Sequence, residues 1–416
     1  MATIAIPSAP TTASISQTTA IKPQIARLTS VDLLRGLVMV IMALDHTRDF
    51  FTYLRFQPED LSQTYGALFL TRVITHYCAP VFSLLAGTGA FLATRRGKTV
   101  SEISRYFWTR GLWLVFLEMT VVGFAWTFQL PFRKGAVIWA LGWSMVAMSL
   151  IVRLPMRWIA TLGIGIIAGH NLLDGVSPNS LGWFGGIWTI LHVRDTFWIK
   201  QPIFGLFIMY PLLPWIGVMA CGYALGPLLL RPDRKKLFFR IGLVLTIAFL
   251  VLRGINLYGN GTAGYPFSIG PWHTQSSGIL TLISFFNTQK YPPSLDYLLM
   301  TLGPALMVLA WFERVNAEKG LARAVLVYGR VPMFYYILHI YLIHIMAFVV
   351  ALLFHQPATW ILHGAYVYHA APDGYGHGLP FIYLMWITVV AILYLPCRWY
   401  MNFKKEHRDW NWLSYL

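Results

Sequence analysis

The stretch LFLTRVITHYCAPVFSLLAGTGAFL, residues 68–92, runs for 25 residues with Arg72 as its one permanently charged side chain. A helix needs about 20 apolar residues to cross a hydrocarbon core, and buried helices of soluble domains rarely reach that length without charge. Working outward, comparable stretches occupy 32–52, 105–128, 136–153, 156–173, 203–227, 236–255, 295–313, 324–353 and 380–401. Together they predict ten transmembrane helices. Composition agrees: of 416 residues, 57% are hydrophobic and 12% charged, against about a quarter charged in soluble domains. The expected fold class is all-α, a polytopic integral membrane protein.

A net charge of +16 raises the question of nucleic acid, and its distribution answers it. Of the 32 Lys and Arg residues, 22 fall at the termini and in alternate connections, among them Lys22, Arg27, Arg95, Arg96, Lys98, Lys235, Lys236 and Arg408. This positive-inside bias predicts both termini in the cytoplasm and a multi-pass protein of the plasma (inner) membrane. Nucleic acid is not expected as a partner. Residues 1–26 are read as a disordered cytoplasmic tail without a signal peptide, 27–403 as one transmembrane domain, and 404–416 as a cytoplasmic C-terminal tail. Three long outer connections, 174–202, 256–294 and 354–379, carry the Gly, Pro and aromatic content of ordered turns or interfacial segments. Cys78, Cys221 and Cys397 lie in apolar segments without CxxC spacing and read as packing residues.

Ionisable residues inside a bilayer are costly, so each is a candidate for function. Asp32 and Arg35 stand three apart near the inner end of the first helix, the spacing of a structural ion pair. At its outer end Asp45 and Asp49 share a face, and His46 sits beside Asp45, where a carboxylate would orient the imidazole as a base. Arg72 and His76 lie four apart in the outer half of the second helix. The helix 1–helix 2 hairpin is expected to bring His46 towards His76. Glu118 has no basic residue within a turn of its own helix and needs a partner, Arg72 first and Arg35 second. His339 and His344, five apart, point about 140° from one another at 100° per residue, and read as packing residues. In the outer loops, His273 beside Trp272 and Lys290–Tyr291 before two prolines are candidate substrate contacts. His355, His363, His369 and His377 lack metal-ligand spacing, and no metal is expected. The phosphate-binding GxxxxGK[ST] loop, the GxSxG elbow and HExxH are absent, which disfavours an ATP-driven pump, a hydrolase graft and a zinc protease.

RLTSVDLLRGLVMVIMALDHTRDFF, 27–51, followed by ITHYCAPVFSLLAGTGAFL, 74–92, resembles the bacterial membrane proteins grouped as domain of unknown function 1624. That group is similar to the catalytic domain of heparan-alpha-glucosaminide N-acetyltransferase. YPLLPWIGVMACGYALG, FFNTQKYPPSLDYLLMTLGPAL and YGRVPMFYYILHIYLIH carry the resemblance to the bacterial group further along the chain, and VDLLRG is similar to the LDGLRG opening of other membrane acyltransferases. The resemblance implies an acyl group, acetyl above all, taken from cytoplasmic acyl-CoA and delivered to an amine or hydroxyl of an envelope glycan or lipid outside. It implies the bilayer and that acceptor as partners, with a homodimer as a further candidate. The animal enzyme's proposed histidine falls in the loop between helices 1 and 2, where this sequence has none; either His46 or His76 takes the role, or the chemistry differs. His46 is the expected base, oriented by Asp45 or Asp49, with Arg72 or His76 as donors to the oxyanion. A transporter or exporter using the intramembrane Arg, Glu and His residues is the alternative reading, and a membrane scaffold a third.

Overall fold

Long apolar runs satisfy their own backbone only as helices in lipid, and helices dominate the chain. The computed structural model describes residues 28–94, 97–200, 204–261, 269–363, 371–407, 409–410 and 412–413. The N-terminal tail, Lys22, Arg27, Arg95, Arg96, the His363 side chain, His369 and Arg408 lie outside the described residues. In chain order the elements are α1 (Thr29–Phe51), α2 (Gly66–His76), α3 (Cys78–Thr94), α4 (Val100–Leu117), a π-helical turn (Glu118–Val122), α5 (Gly123–Thr127), β1 (Lys134–Gly135), α6 (Val137–Ile151), α7 (Met156–Gly169), α8 (Gly185–His192), β2 (Thr196–Lys200) and β3 (Phe204–Ile208). There follow α9 (Leu212–Leu225), α10 (Arg234–Ile255), α11 (Gly278–Phe286), α12 (Leu295–Phe312), α13 (Gly320–Arg330), α14 (Pro332–Leu353) and α15 (Leu379–Glu406).

Each of the ten apolar stretches contains a helix. Among the described residues, seven are long and apolar enough to cross a membrane: Gly66–Thr94, Val100–Thr127, Leu212–Leu230, Arg234–Ile255, Leu295–Phe312, Pro332–Leu353 and Leu379–Glu406. The other three depart for separate reasons. α6 and α7 are short, at 15 and 14 residues, and α1 carries Asp32, Arg35, Asp45, Arg48 and Asp49. α1 tolerates them because it runs through the middle of the bundle, packed by α2, α3, α12, α13, α14 and α15, where neighbouring side chains replace lipid.

Two expected helices change character. The 324–353 stretch divides at Val331, which leaves helical backbone (φ −131°, ψ 51°), and Pro332 opens α14 at a position that needs no N–H. The 203–227 stretch begins as β3, whose apolar FGLFI reads equally as strand or helix by hydropathy. β3 is the middle of a small sheet, parallel to β1 (Lys134 opposite Phe207) and antiparallel to β2 (Phe197 opposite Leu206).

Helix pairs meet at facing glycines: Gly36 and Gly329 between α1 and α13, Gly87 and Gly222 between α3 and α9, Gly111 and Gly142 between α4 and α6, Gly242 and Gly303 between α10 and α12. A Cβ on Gly36 would sit 1.9 Å from the Val325 carbonyl oxygen, and one on Gly329 1.9 Å from that of Asp32. Such approach supplies the dispersion contact on which helices in lipid depend, since lipid tails offer no hydrophobic drive between them.

The long connections gather at one end of the bundle, the loop end. Asn287 donates to the Glu59 carbonyl (2.8 Å), Arg55 to those of Pro372 and Tyr375, and the Leu295 N–H to Asn171 (2.9 Å). The short basic turns occupy the opposite end, where Arg234 pairs with Glu313 at 2.7 Å.

Candidate functional site

The last two turns of α1 and the first turns of α2 place Asp45, Arg48, Asp49 and Arg72 side by side. The Arg72 Nη1 reaches both Asp45 oxygens at 3.1 and 3.0 Å, Arg48 approaches Asp45 to 2.6 Å and Asp49 to 2.9 Å, and the Thr75 hydroxyl donates to Asp45 at 3.0 Å. The Arg72 Nε donates to Glu59 at 2.6 Å. Glu59, in the loop between α1 and α2, is a member that the sequence did not suggest. Burial alone would raise its carboxyl, but Arg72 and His76 outweigh burial and hold it well below the usual carboxylate range.

His46 turns away from these acids. Its Nδ1 lies 2.7 Å from Nε2 of His339 on α14, and Nδ1 of His339 lies 3.1 Å from the Tyr335 carbonyl oxygen. The chemistry of the atoms assigns the protons. A carbonyl only accepts, so His339 Nδ1 carries the hydrogen and its Nε2 accepts; His46 Nδ1 therefore donates, leaving the His46 Nε2 lone pair. The rings stack at 4.9 Å, with Trp126 edge-on to His46 at 4.7 Å. The expectation that Asp45 or Asp49 orients His46 is thus corrected: Arg48, Arg72 and Thr75 engage the acids, and His339, read as packing, is the orienting group. His344 keeps the packing role, its Nδ1 2.7 Å from the Ala125 carbonyl oxygen and its Nε2 3.0 Å from that of Ile361, with the ring donating to one of them.

A cavity of about 1020 Å³ opens at the loop end and is lined by Asp45, His46, Asp49 and Arg72 together with His273, Lys290 and Tyr291. The two groups of candidates, far apart in sequence, share one chamber. Arg253, fully buried at the end of α10, holds the loop half in place: it donates to the carbonyls of Phe285 (2.9 Å), Ser284 (3.1 Å) and Asn287 (2.7 Å). Lys290 lies over the Tyr291 ring at 5.1 Å, and the Tyr291 hydroxyl is 3.4 Å from that of Tyr210. Burial would raise the Tyr291 phenol, but Lys290 and Arg72 prevail and bring it below its ordinary value. Lys134 of β1 also lines the chamber; burial first, and then Arg194, bring its ammonium down to about 8.

His76 and Glu118 stand apart from that wall. His76 is fully buried, 3.8 Å from Glu59 and edge-on to Tyr297, and His46 faces His339 instead of meeting it. Glu118 is fully buried in the π-helical turn and lies against the first backbone N–H groups of α6, those of Ile138 and Trp139, without a closed hydrogen bond. The anticipated arginine partners are engaged elsewhere, Arg72 with Asp45 and Glu59, Arg35 with Asp32 at 3.0 Å. The Asp32–Arg35 pair stands as expected.

A second cavity, of about 450 Å³, lies towards the basic end, lined by Asp32, Arg35, Tyr106 and Arg110 at its polar part and by apolar residues such as Met39, Met42 and Leu85 deeper in. Val137 and Tyr336 line both cavities. The two chambers therefore approach one another from opposite ends, with these side chains between them.

A bundle of long apolar helices around a charged, histidine-bearing chamber is the architecture of a multi-pass membrane protein. The chain belongs to the heparan-alpha-glucosaminide N-acetyltransferase catalytic family, whose model matches residues 27–258, more than half its length. The match spans α1 to the end of α10 and so covers His46, Arg72 and the acidic cluster. No curated protein sequence matches the chain.

Proposed function

We propose that the chain is a membrane acyltransferase that takes an acetyl or other acyl group from cytoplasmic acyl-CoA and delivers it to an amine or hydroxyl of a glycan or lipid on the outer side of the plasma membrane. In this reading all ten helical stretches cross, both termini lie in the cytoplasm, and the loop end faces outward; the distribution of basic residues supports this orientation. The observation that carries the reading is His46, paired with His339 behind it, on the wall of a chamber that backs, at Tyr336, onto a second cavity from the opposite end.

The basic-end cavity suits the donor: its apolar depth takes the acyl-pantetheine arm, while Arg35 and Arg110 at its polar part attract the phosphates. The loop-end chamber takes the acceptor, whose polar groups meet His273, Lys290 and Tyr291. The acceptor's O–H or N–H gives its proton to the His46 Nε2 lone pair as it attacks the thioester carbonyl. Collapse of the tetrahedral intermediate breaks the C–S bond, and the imidazolium returns the proton to the departing thiolate. Arg48 and Arg72 pair with Asp45 and Asp49, which keeps the wall polar and offsets the negative charge beside the nucleophile. His76 has no part in proton transfer here; with Glu59 it supports Arg72.

Membranes containing the protein, supplied with radiolabelled acetyl-CoA, are expected to label a glycan or lipid. His46→Ala should lower that transfer by about 100-fold or more while the variant still inserts and purifies as a single species. Undiminished transfer by His46→Ala would remove His46 as the base. Failure of any acyl-CoA to label glycan or lipid would overturn acyl transfer and favour a carrier using the same chamber.

A further inference from the structure

α7 ends at Gly169 and continues as a short 3-10 turn, His170–Leu173, while α8 ends at His192. The connection folds back so that His170, Asp174 and His192 meet away from the chamber of His46. One donor atom from each side chain lies within 4.8 Å of the other two. The His192 Nε2 is 3.0 Å from the Asp174 Oδ1, and the His170 and His192 rings stand edge to face with centroids 5.6 Å apart.

Both histidines are buried, with 2% and 3% of their surface exposed, yet neither nitrogen of His170 closes a hydrogen bond, and Nδ1 of His192 closes none. A buried imidazole with neither nitrogen bonded, as His170 is, beside a carboxylate and a second imidazole, is unfavourable unless something accepts its lone pair. We propose that His170, Asp174 and His192 bind one divalent transition-metal ion of the zinc class, which fastens the α7–α8 connection.

Two imidazoles and a carboxylate select this class. Calcium and magnesium prefer all-oxygen shells, and copper(I) prefers thiolate or thioether. Donors around tetrahedral zinc, each about 2.1 Å from the metal, stand about 3.4 Å apart; the Asp174–His192 pair, at 3.0 Å, is near that spacing, and the His170 donor lies within 4.8 Å of both. The surroundings are those of an oriented ligand set. Asn171 donates to the second Asp174 oxygen at 2.9 Å and accepts the Leu295 N–H at 2.9 Å, the Pro293 carbonyl faces His170, and the Trp188 ring packs 4.9 Å from that of His192. Through Asn171 the ion would also brace the start of α12, just beyond Lys290 and Tyr291. The inference stands independently of the acyltransferase reading.

The test uses the full chain purified in detergent, stripped with a chelator and titrated with Zn²⁺ against a chromophoric competitor. The wild type is expected to bind one equivalent and to melt at a higher temperature with Zn²⁺ than without. His170→Ala and His192→Ala should each weaken binding at least tenfold and abolish the Zn²⁺-dependent rise in melting temperature, and Asp174→Asn, the conservative change, should weaken binding with the least disturbance to folding. Cobalt(II) should give a visible d–d band in the wild type that the His192→Ala chain lacks. A quadruple variant with His355, His363, His369 and His377 changed to Gln should bind as the wild type does. Absence of binding at micromolar Zn²⁺, unaltered affinity in His170→Ala, or loss of binding in the quadruple variant instead would each overturn the site.

Discussion

His46 is useful as a base only if its free lone pair faces the chamber, and the neighbour on α14 decides that. His339, held by the Tyr335 carbonyl, accepts the His46 Nδ1 hydrogen and fixes the tautomer. His339→Phe should therefore lower kcat by less than the loss in His46→Ala, with both KM values nearly unchanged, and His339→Gln, whose amide oxygen accepts the same hydrogen, should recover part of the rate; steady-state kinetics with acyl-CoA checks this. Glu59 makes a second prediction. Its ionised form is favoured in the folded protein over the unfolded chain, where a Glu titrates near about 4.3. The stabilisation is therefore complete above about pH 4.3 and is lost as pH falls towards the lower folded value. Glu59→Gln removes the charged acceptor of the Arg72 Nε while Asp45 still pairs with that guanidinium, and should cost about 1–3 kcal/mol at neutral pH, the difference from wild type shrinking below about pH 4; melting curves in detergent across that range measure it. At this scale the intramembrane acids, Arg72 and His46 stand out in sequence because charge in an apolar run is costly. The His339 partnership does not, because it joins residues 293 apart and periodicity along α14 says nothing about what the helix faces.

Helices here are joined through glycines in facing pairs, and α3 holds its own control. A Cβ on Gly87 would lie 2.1 Å from the Met219 carbonyl oxygen of α9, whereas one on Gly89, two residues on, meets nothing within 4 Å. Gly87→Ala must separate two backbones and should destabilise by about 1–3 kcal/mol; Gly89→Ala should be neutral or gain up to about 1 kcal/mol from helix propensity. Thermal melting of the two variants in the same detergent tests the difference, and equal losses would argue against the close α3–α9 crossing. Apolar length located all ten helical stretches, since the run of 20 is imposed by the solvent and not by partners. It misread β3, because five apolar residues fit strand and helix alike, and it passed through Val331, where the backbone turns although hydropathy does not change. The capping box of Thr99 and Glu102 that starts α4 shows the kind of local signal that the β3 segment lacks.

At the scale of the whole molecule, sidedness gives the two cavities different tasks. If the basic end is cytoplasmic, the acyl-transfer proposal has the smaller cavity receive the donor and the larger one the acceptor, with Tyr336 and Val137 between the two. The orientation rests on the distribution of basic residues, a bias that topology imposes and function need not share, so it calls for a measurement of its own. Trp183 stands 87% exposed in the connection between α7 and α8, at the loop end, and Glu318 is exposed in the turn between α12 and α13, at the basic end. The native Cys78 and Cys397 are buried and Cys221 lies within α9, so an impermeant maleimide should find little background. Trp183→Cys is expected to label on intact cells and Glu318→Cys only after the membrane is opened. The reverse pattern would invert the chain and exchange the compartments of the two cavities, placing the acyl-CoA arm on the side where no cytoplasmic donor can reach it.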